Sequence, residues 1–101
     1  MRHLPFLAAA LALAGAAHAQ SPEALNLRGL AASCAQCHGT DGRAAPGSTV
    51  PAIAGLQRDY LVAQLKGFKG GSRPSTVMGQ LSKGFSDAQL EQLADYFSRQ
   101  K

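Results

Sequence analysis

Cys34, Cys37 and His38 fall within one short stretch, Cys34-Ala35-Gln36-Cys37-His38-Gly39-Thr40-Asp41-Gly42. They include the only two cysteines of the chain and its only histidine beyond residue 20. Two thiols at this spacing suit three chemistries: a redox disulfide, half of a zinc site, or covalent anchorage of haem. Structural zinc takes four ligands. Beyond residue 20 the chain offers Cys34, Cys37 and His38, with Asp41 a poor fourth. His38 also follows Cys37 directly, which makes shared tetrahedral coordination awkward. A thioredoxin-type disulfide expects a βαβ setting, and none is visible in the pattern. A structural disulfide across so short a loop contributes little chain-entropy stabilisation. The haem reading uses every residue. On a helical turn Cys34 and Cys37 are three apart and Cys34 and His38 four apart, so all three project towards one surface. The cysteine sulfurs can add to the two vinyl groups of haem, and the imidazole can then ligate iron from the proximal side. C-x-x-C-H is the attachment signal for c-type haem.

A second axial ligand beside histidine is usually methionine or another histidine. His3 and His18 lie in the first twenty residues and Met1 is the initiator, which leaves Met78. It stands forty positions after His38, beyond a helical segment and a glycine-rich turn, so the chain has room to wrap around a haem. The alternatives are that Met78 fills a gap in the core, with iron five-coordinate or held by a lysine.

These residues need elements to position them. Residues 1–19 read as a cleaved secretory leader: Arg2 and His3, an apolar run from Leu4 to Ala17, then Ala17-His18-Ala19 as a small-x-small cleavage site. An uncleaved anchor is the alternative, although the run is short for a membrane span. Residues 20–101 then form one small domain of the exported, periplasmic protein, with no second apolar stretch long enough to span a membrane. Ser21-Pro22 caps a first helix in which Leu27, Leu30 and Ala31 recur at helical spacing and lead into Cys34. A second helix spans about Arg58 to Phe68, with Leu61, Leu65 and Phe68 as its apolar stripe and Gly70-Gly71 as its stop. Residues 77–83 suit a short helical turn. Ser86 and Gln89 form a capping box for a last helix, with Phe85 and Leu90 placed as a hydrophobic staple. Leu90, Leu93, Ala94 and Phe97 make its inner face. No strand pattern is convincing. The class is all-α, small and loop-rich, and so modest a core asks for a cofactor at its centre.

The formal net charge is +4 and is unevenly spread. Residues 61–86 carry Lys66, Lys69, Arg73 and Lys83 and no acid, whereas residues 20–60 balance. A local basic face can steer an acidic partner, and a solvated loop surface accounts for the same lysines. Nucleic acid is disfavoured, because Phe68 and Phe85 are the stretch's only aromatics and no binding fingerprint is present.

The chain resembles the class I c-type cytochromes over residues 20–101. The match lies in Cys34-Ala35-Gln36-Cys37-His38-Gly39, in Pro51-Ala52-Ile53-Ala54-Gly55, in Met78, and in the last helix with Tyr96 and Phe97. The resemblance implies the small class I cytochrome c fold around one covalent haem c. It gives the Pro51 carbonyl the role of accepting the hydrogen bond from the ligand histidine's other ring nitrogen; a loop stiffener is the plain alternative. It also crosses the first and last helices, bringing the Leu30 region against Tyr96 and Phe97. One departure concerns that crossing: the family usually places a glycine two turns before the first cysteine, where this chain has Asn26, with Gly29 nearby. Leu56, Leu61, Leu65, Phe68, Val77, Leu81 and Phe85 are candidates for the haem wall, each with an ordinary core role as its alternative.

The stretch from Asp59 to Phe97 is similar both to single-haem units of tandem dihaem bacterial cytochromes and to the small cytochrome subunit of flavocytochrome c sulfide dehydrogenase. The resemblance implies a one-electron carrier, not an enzyme by itself. The expected partner is a redox protein, foremost the flavoprotein of a flavin-dependent sulfide dehydrogenase. A free diffusible carrier and a haem-based sensor or ligand binder are the other readings.

Overall fold

The computed structural model describes residues 19–101, so the leader expected over 1–19 lies outside the described residues apart from Ala19. Helix α1, Pro22–Ala32, starts where Ser21 and proline dictate: the Ser21 hydroxyl accepts from the Ala24 amide at 3.1 Å. Its exit is unusual in having no left-handed residue. Ser33 and Cys34 stay in right-handed helical geometry, and the chain runs straight into the one-turn helix α2, Ala35–His38. A 3₁₀ turn, Thr40–Gly42, comes next. After an irregular loop come α3, Arg58–Gly70, the short α4, Met78–Ser82, and α5, Asp87–Ser98. The described residues contain helices and no strands.

Helix α3 runs two residues beyond the stop expected at Phe68. Gly71 supplies the left-handed cap, with φ of 85°, and its amide returns to the Phe68 carbonyl at 3.3 Å. Helix α5 has the full capping box: the Gln89 amide donates to Ser86 Oγ at 3.1 Å and the Ser86 amide to Gln89 Oε1 at 2.9 Å. Its buried residues are Leu90, Leu93, Ala94 and Phe97, one stripe at helical spacing.

The core joins Leu93, Ala94 and Phe97 of α5 to Leu61 of α3 and Ala31 of α1, with Leu30, Ile53, Leu65, Phe85 and Tyr96 packed around them. Helices α1 and α5 therefore meet through small residues, Ala31 and Ala94, in a cluster that includes Phe97. Gly29 has no part in this close approach, since a Cβ there would meet nothing within 4 Å. Asn26 is exposed. In α1 only Ala31 is buried; Leu27 and Leu30 are half-buried, so the stripe read from the sequence is shallower than expected.

Ion pairs zip α3 to α5. Lys66 Nζ lies 2.8 Å from Glu91 Oε1, and Lys69 Nζ lies 3.0 Å from Asp87 Oδ1 and 2.7 Å from the Phe85 carbonyl. This corrects the basic face expected over residues 61–86. Two of its four cations are spent on acids supplied by the neighbouring helix. Hydrogen bonds from Lys69 and Lys66 hold the carboxyl groups of Asp87 and Glu91 below their ordinary values.

Helix α4 rests on α3 at Gly79, where a Cβ would come within 3.3 Å of the Phe68 carbonyl. The Ser82 side chain is fully buried, yet its Oγ finds no hydrogen-bond partner among the described residues. An unpaired buried hydroxyl costs free energy that a methyl does not. Ser82→Ala is therefore expected to raise the stability of the holoprotein by about 1 kcal/mol, read by denaturant unfolding; an unchanged or lower midpoint contradicts this. The depressed carboxylates give a second expectation. Their contribution is present above the ordinary carboxylate range, around pH 4, and is lost as pH falls through the lower folded values. Lys69→Met should flatten the acid limb of a stability-versus-pH curve below about pH 5, and an acid limb as steep as that of the parent protein would refute the assignment.

Candidate functional site

The site is built on the turn that α1 feeds without a break. His38 closes α2, its amide bonded to the Cys34 carbonyl at 3.0 Å, so Cys34, Cys37 and His38 occupy one helical turn. The His38 ring nitrogen Nδ1 lies 2.7 Å from the Pro51 carbonyl oxygen. A carbonyl only accepts, so Nδ1 carries a proton and donates, and it is Nε2 that faces away from this bond as the nitrogen available to a metal in the neutral tautomer.

Both cysteines are free thiols; Cys34 is half-buried beside the core and Cys37 is exposed. Burial pushes the Cys34 thiol up from its ordinary value, partly offset by the Ser33 hydroxyl. A nucleophilic or redox cysteine needs the opposite, a stabilised thiolate. Among the described residues no three His, Cys, Asp or Glu side chains gather closely enough to share a metal ion. The zinc reading loses its geometric basis, and the burial of Cys34 disfavours the thiol-redox one.

The loop from Gly39 to Gly55 has to hold Pro51 against His38, and glycines make this possible. Gly39 has φ of 85°, and a Cβ there would sit 1.9 Å from the Arg43 carbonyl oxygen. Gly42 has φ of 80°; a Cβ would meet the Ile53 side chain at 2.8 Å and the Phe97 ring at 2.9 Å. Its carbonyl accepts from the amides of Ile53 and Ala54 at 2.9 and 3.1 Å. The Gly55 amide donates to the Phe97 carbonyl at 2.9 Å. Asp41, at φ of 53°, accepts a hydrogen bond from the Tyr96 hydroxyl, and Arg43 reaches its other oxygen at 3.4 Å. The bond from Tyr96 holds the Asp41 carboxyl low and pushes the Tyr96 phenol up.

Met78 begins α4 and is half-buried. Leu81 lies on its face of the helix, three residues on. Leu81 and the preceding Val77 are exposed to about half their area, at 50% and 53%. Leu56 is exposed as well. Leu61 is a core residue packed with Phe97 and Leu93, and Leu65 and Phe85 lie at the core's edge. Phe68 carries the Arg73 guanidinium 4.5 Å over its ring, and Arg73 also bonds the Gln64 side chain. The wall candidates thus divide: Leu61, Leu65 and Phe85 belong to the core or its edge, Phe68 lies under Arg73, Leu56 is exposed, and Val77 and Leu81 flank Met78. Sequence reasoning missed the Asp41–Tyr96 bond. Its one available signal was the Asp41-Gly42 turn dipeptide directly after the histidine motif.

The donor set fits a covalent haem: two free thiols on one turn, an imidazole whose Nδ1 is held by Pro51, and a thioether bordered by uncovered apolar side chains. Residues 28–101 match the family model for cytochrome c. The chain belongs to the cytochrome c family. That membership implies covalently bound haem c and transfer of electrons through it. The cytochrome subunit of sulfide dehydrogenase from Chlorobaculum tepidum is 46% identical over 68 residues, 67% of this chain and 60% of that protein. The thiosulfate dehydrogenase electron acceptor of Thiomonas intermedia is 44% identical over 71 residues, 70% of this chain and 33% of that protein. Cytochrome c4 of Azotobacter vinelandii is 37% identical over 100 residues, covering 90% of this chain and 47% of that protein. The chain therefore spans between a third and three-fifths of the length of these relatives.

The glycine requirement can be checked directly. Gly42→Ala should destabilise the holoprotein by about 2 kcal/mol or more, since it adds both backbone strain and a clash with Phe97. A denaturation midpoint equal to that of the parent protein would contradict this reading.

Proposed function

We propose that this cytochrome carries one haem c, held by thioether bonds to Cys34 and Cys37, with His38 Nε2 and Met78 Sδ as the axial ligands. The observation that carries the reading is the hydrogen bond from His38 Nδ1 to Pro51, on the same turn as two free thiols. Such an outer partner fixes the tautomer of a metal-binding imidazole and raises its basicity. When bound, the haem supplies one-electron exchange between ferric and ferrous iron. The chain's residues do the rest. His38 and Met78 would hold the iron between them and leave substrate no place there. The Met78 thioether favours the ferrous state. Leu56, Val77 and Leu81 would keep water from the bound haem, and Leu61, Leu65, Phe68 and Phe85 would back that wall.

The proposed setting is the periplasm, reached through the leader at residues 1–19, with residues 20–101 as the working domain. The proposed role is that of the haem subunit or redox partner of a flavin-dependent sulfide dehydrogenase, taking electrons from a flavoprotein. Similarity to a cytochrome subunit of sulfide dehydrogenase supports it. The free-carrier reading draws on the relative named as an electron acceptor. Purification from the native host separates the two, since co-elution with a flavoprotein at fixed stoichiometry is expected only for a subunit. Among the described residues no helix is long and apolar enough to cross a membrane.

The ligand set is tested on purified protein. A pyridine haemochrome spectrum should report haem c at one per chain. Cys34→Ser with Cys37→Ser should leave little holoprotein and a largely unfolded chain. Met78→Ala should retain haem, lose the far-red ferric band and bind carbon monoxide when reduced. A band that persists in Met78→Ala would remove Met78 from the iron.

A further inference from the structure

Tyr96 has no part in the ligand set, yet it joins the three pieces of chain that meet around His38. Its hydroxyl donates to Asp41 Oδ1 at 2.5 Å, three residues after His38. Its neighbour Phe97 accepts from Gly55, four residues after Pro51, and presses its ring on Gly42. The two rings meet edge to face, with centroids 5.3 Å apart. Tyr96-Phe97 thus grips the Gly39–Gly55 loop on both sides of the His38–Pro51 hydrogen bond. The two grips differ in kind. Phe97 holds the loop by backbone and packing, whereas Tyr96 holds it by a hydrogen bond to a charged acceptor, which is stronger and directional. Asp41 is also the one non-glycine residue with positive φ among the described residues, so its conformation is costly without a partner.

We propose that Tyr96 is a positioning residue for His38: its bond to Asp41 pins the loop that presents the Pro51 carbonyl, and so sets how strongly His38 donates electrons to iron. The proposal rests on His38 being an iron ligand, as argued above. A tight Nδ1–H···O bond makes the imidazole a more basic ligand, which favours ferric iron and lowers the potential. Releasing the loop lengthens that bond and moves the potential up.

The test uses ferrous and ferric holoprotein carrying Tyr96→Phe, which deletes one hydroxyl and keeps the ring. Two quantities are read: the midpoint potential, and the solvent exchange rate of the His38 Nδ1 proton by ¹⁵N-resolved NMR in the ferrous state. Both should rise, the exchange rate several-fold. Asp41→Asn, which keeps an acceptor and tolerates the left-handed backbone, should stay near the parent protein on both. Asp41→Gly, which keeps that backbone and removes the acceptor, should match Tyr96→Phe and replaces it if that variant fails to fold. Leu90→Ala, a fully buried residue of α5 away from the loop, controls for generic loss of stability and should shift neither reading. Tyr96→Phe or Asp41→Gly with an unchanged potential and exchange rate overturns the proposal, as does a Leu90→Ala shift of equal size. Parent protein with no iron-bound imidazole signal for His38 overturns the ligand assignment and this proposal with it. The far-red band separates these cases, because its retention in Tyr96→Phe shows the Met78 side intact.

Discussion

Phe97 is buried against the backbone of Gly42, and most of the architecture is arranged around that contact. The ring belongs to the core formed with Ala31, Leu61, Leu93 and Ala94. The carbonyl of the same residue receives the Gly55 amide. One side chain and one main-chain oxygen therefore fasten a long irregular loop to the last helix. Because Gly42 has no Cβ, the loop can lie directly on the ring, and its carbonyl is free to take the amides of Ile53 and Ala54. That folds Pro51 back towards His38. Without this contact the loop would still be connected at both ends, but only the Tyr96–Asp41 bond would remain to tie it to the last helix.

The proposed haem ligands are placed by different means in the two halves of the chain. Helix α1 runs into α2 with no left-handed break, so the thiols and the imidazole inherit their spacing from local helix geometry. Met78 comes from a different kind of segment. Helix α4 is one short turn and a half, seated on α3 by the close approach at Gly79 and held near α5 through the core-edge residue Phe85. His38 is thus locally determined and tied down by its bond to Pro51, whereas the placement of Met78 depends on packing between helices. The apolar side chains of Val77 and Leu81 beside Met78 do not join the core formed by α5 and Leu61.

Electrostatics in this small domain serves mainly to join elements. Lys66 and Lys69 look, in the chain order, like half of a cationic docking surface. In the fold they meet Glu91 and Asp87, because α3 and α5 lie side by side. Exposed pairs of this kind contribute little individually, but they remove two charges from any field a partner would sense. Arg73 is turned to a different use, stacked on Phe68 and bonded to Gln64. The charge asymmetry of residues 61–86 is therefore a weaker argument for partner steering than the residue count suggests.

The amino-acid sequence by itself determined whatever depends on neighbours in the chain. The caps at Ser21, Ser86 and Gly71, the apolar stripe of α5, and the single turn that carries Cys34, Cys37 and His38 all arise from spacings of one to four residues. The cytochrome c family is legible at that level, because its attachment motif is a local pattern. Only the tertiary structure decided how distant segments meet. It chose Ala31 and Ala94 over Gly29 for the helix crossing, put Leu61 in the core and kept Val77 and Leu81 out of it. It neutralised two lysines across a helix pair and brought Tyr96 to Asp41 across 55 positions of chain. The physical reason is that helical periodicity states which face of an element is apolar but not which partner covers it. Shape, set here by small residues and by glycines without a Cβ, makes that choice.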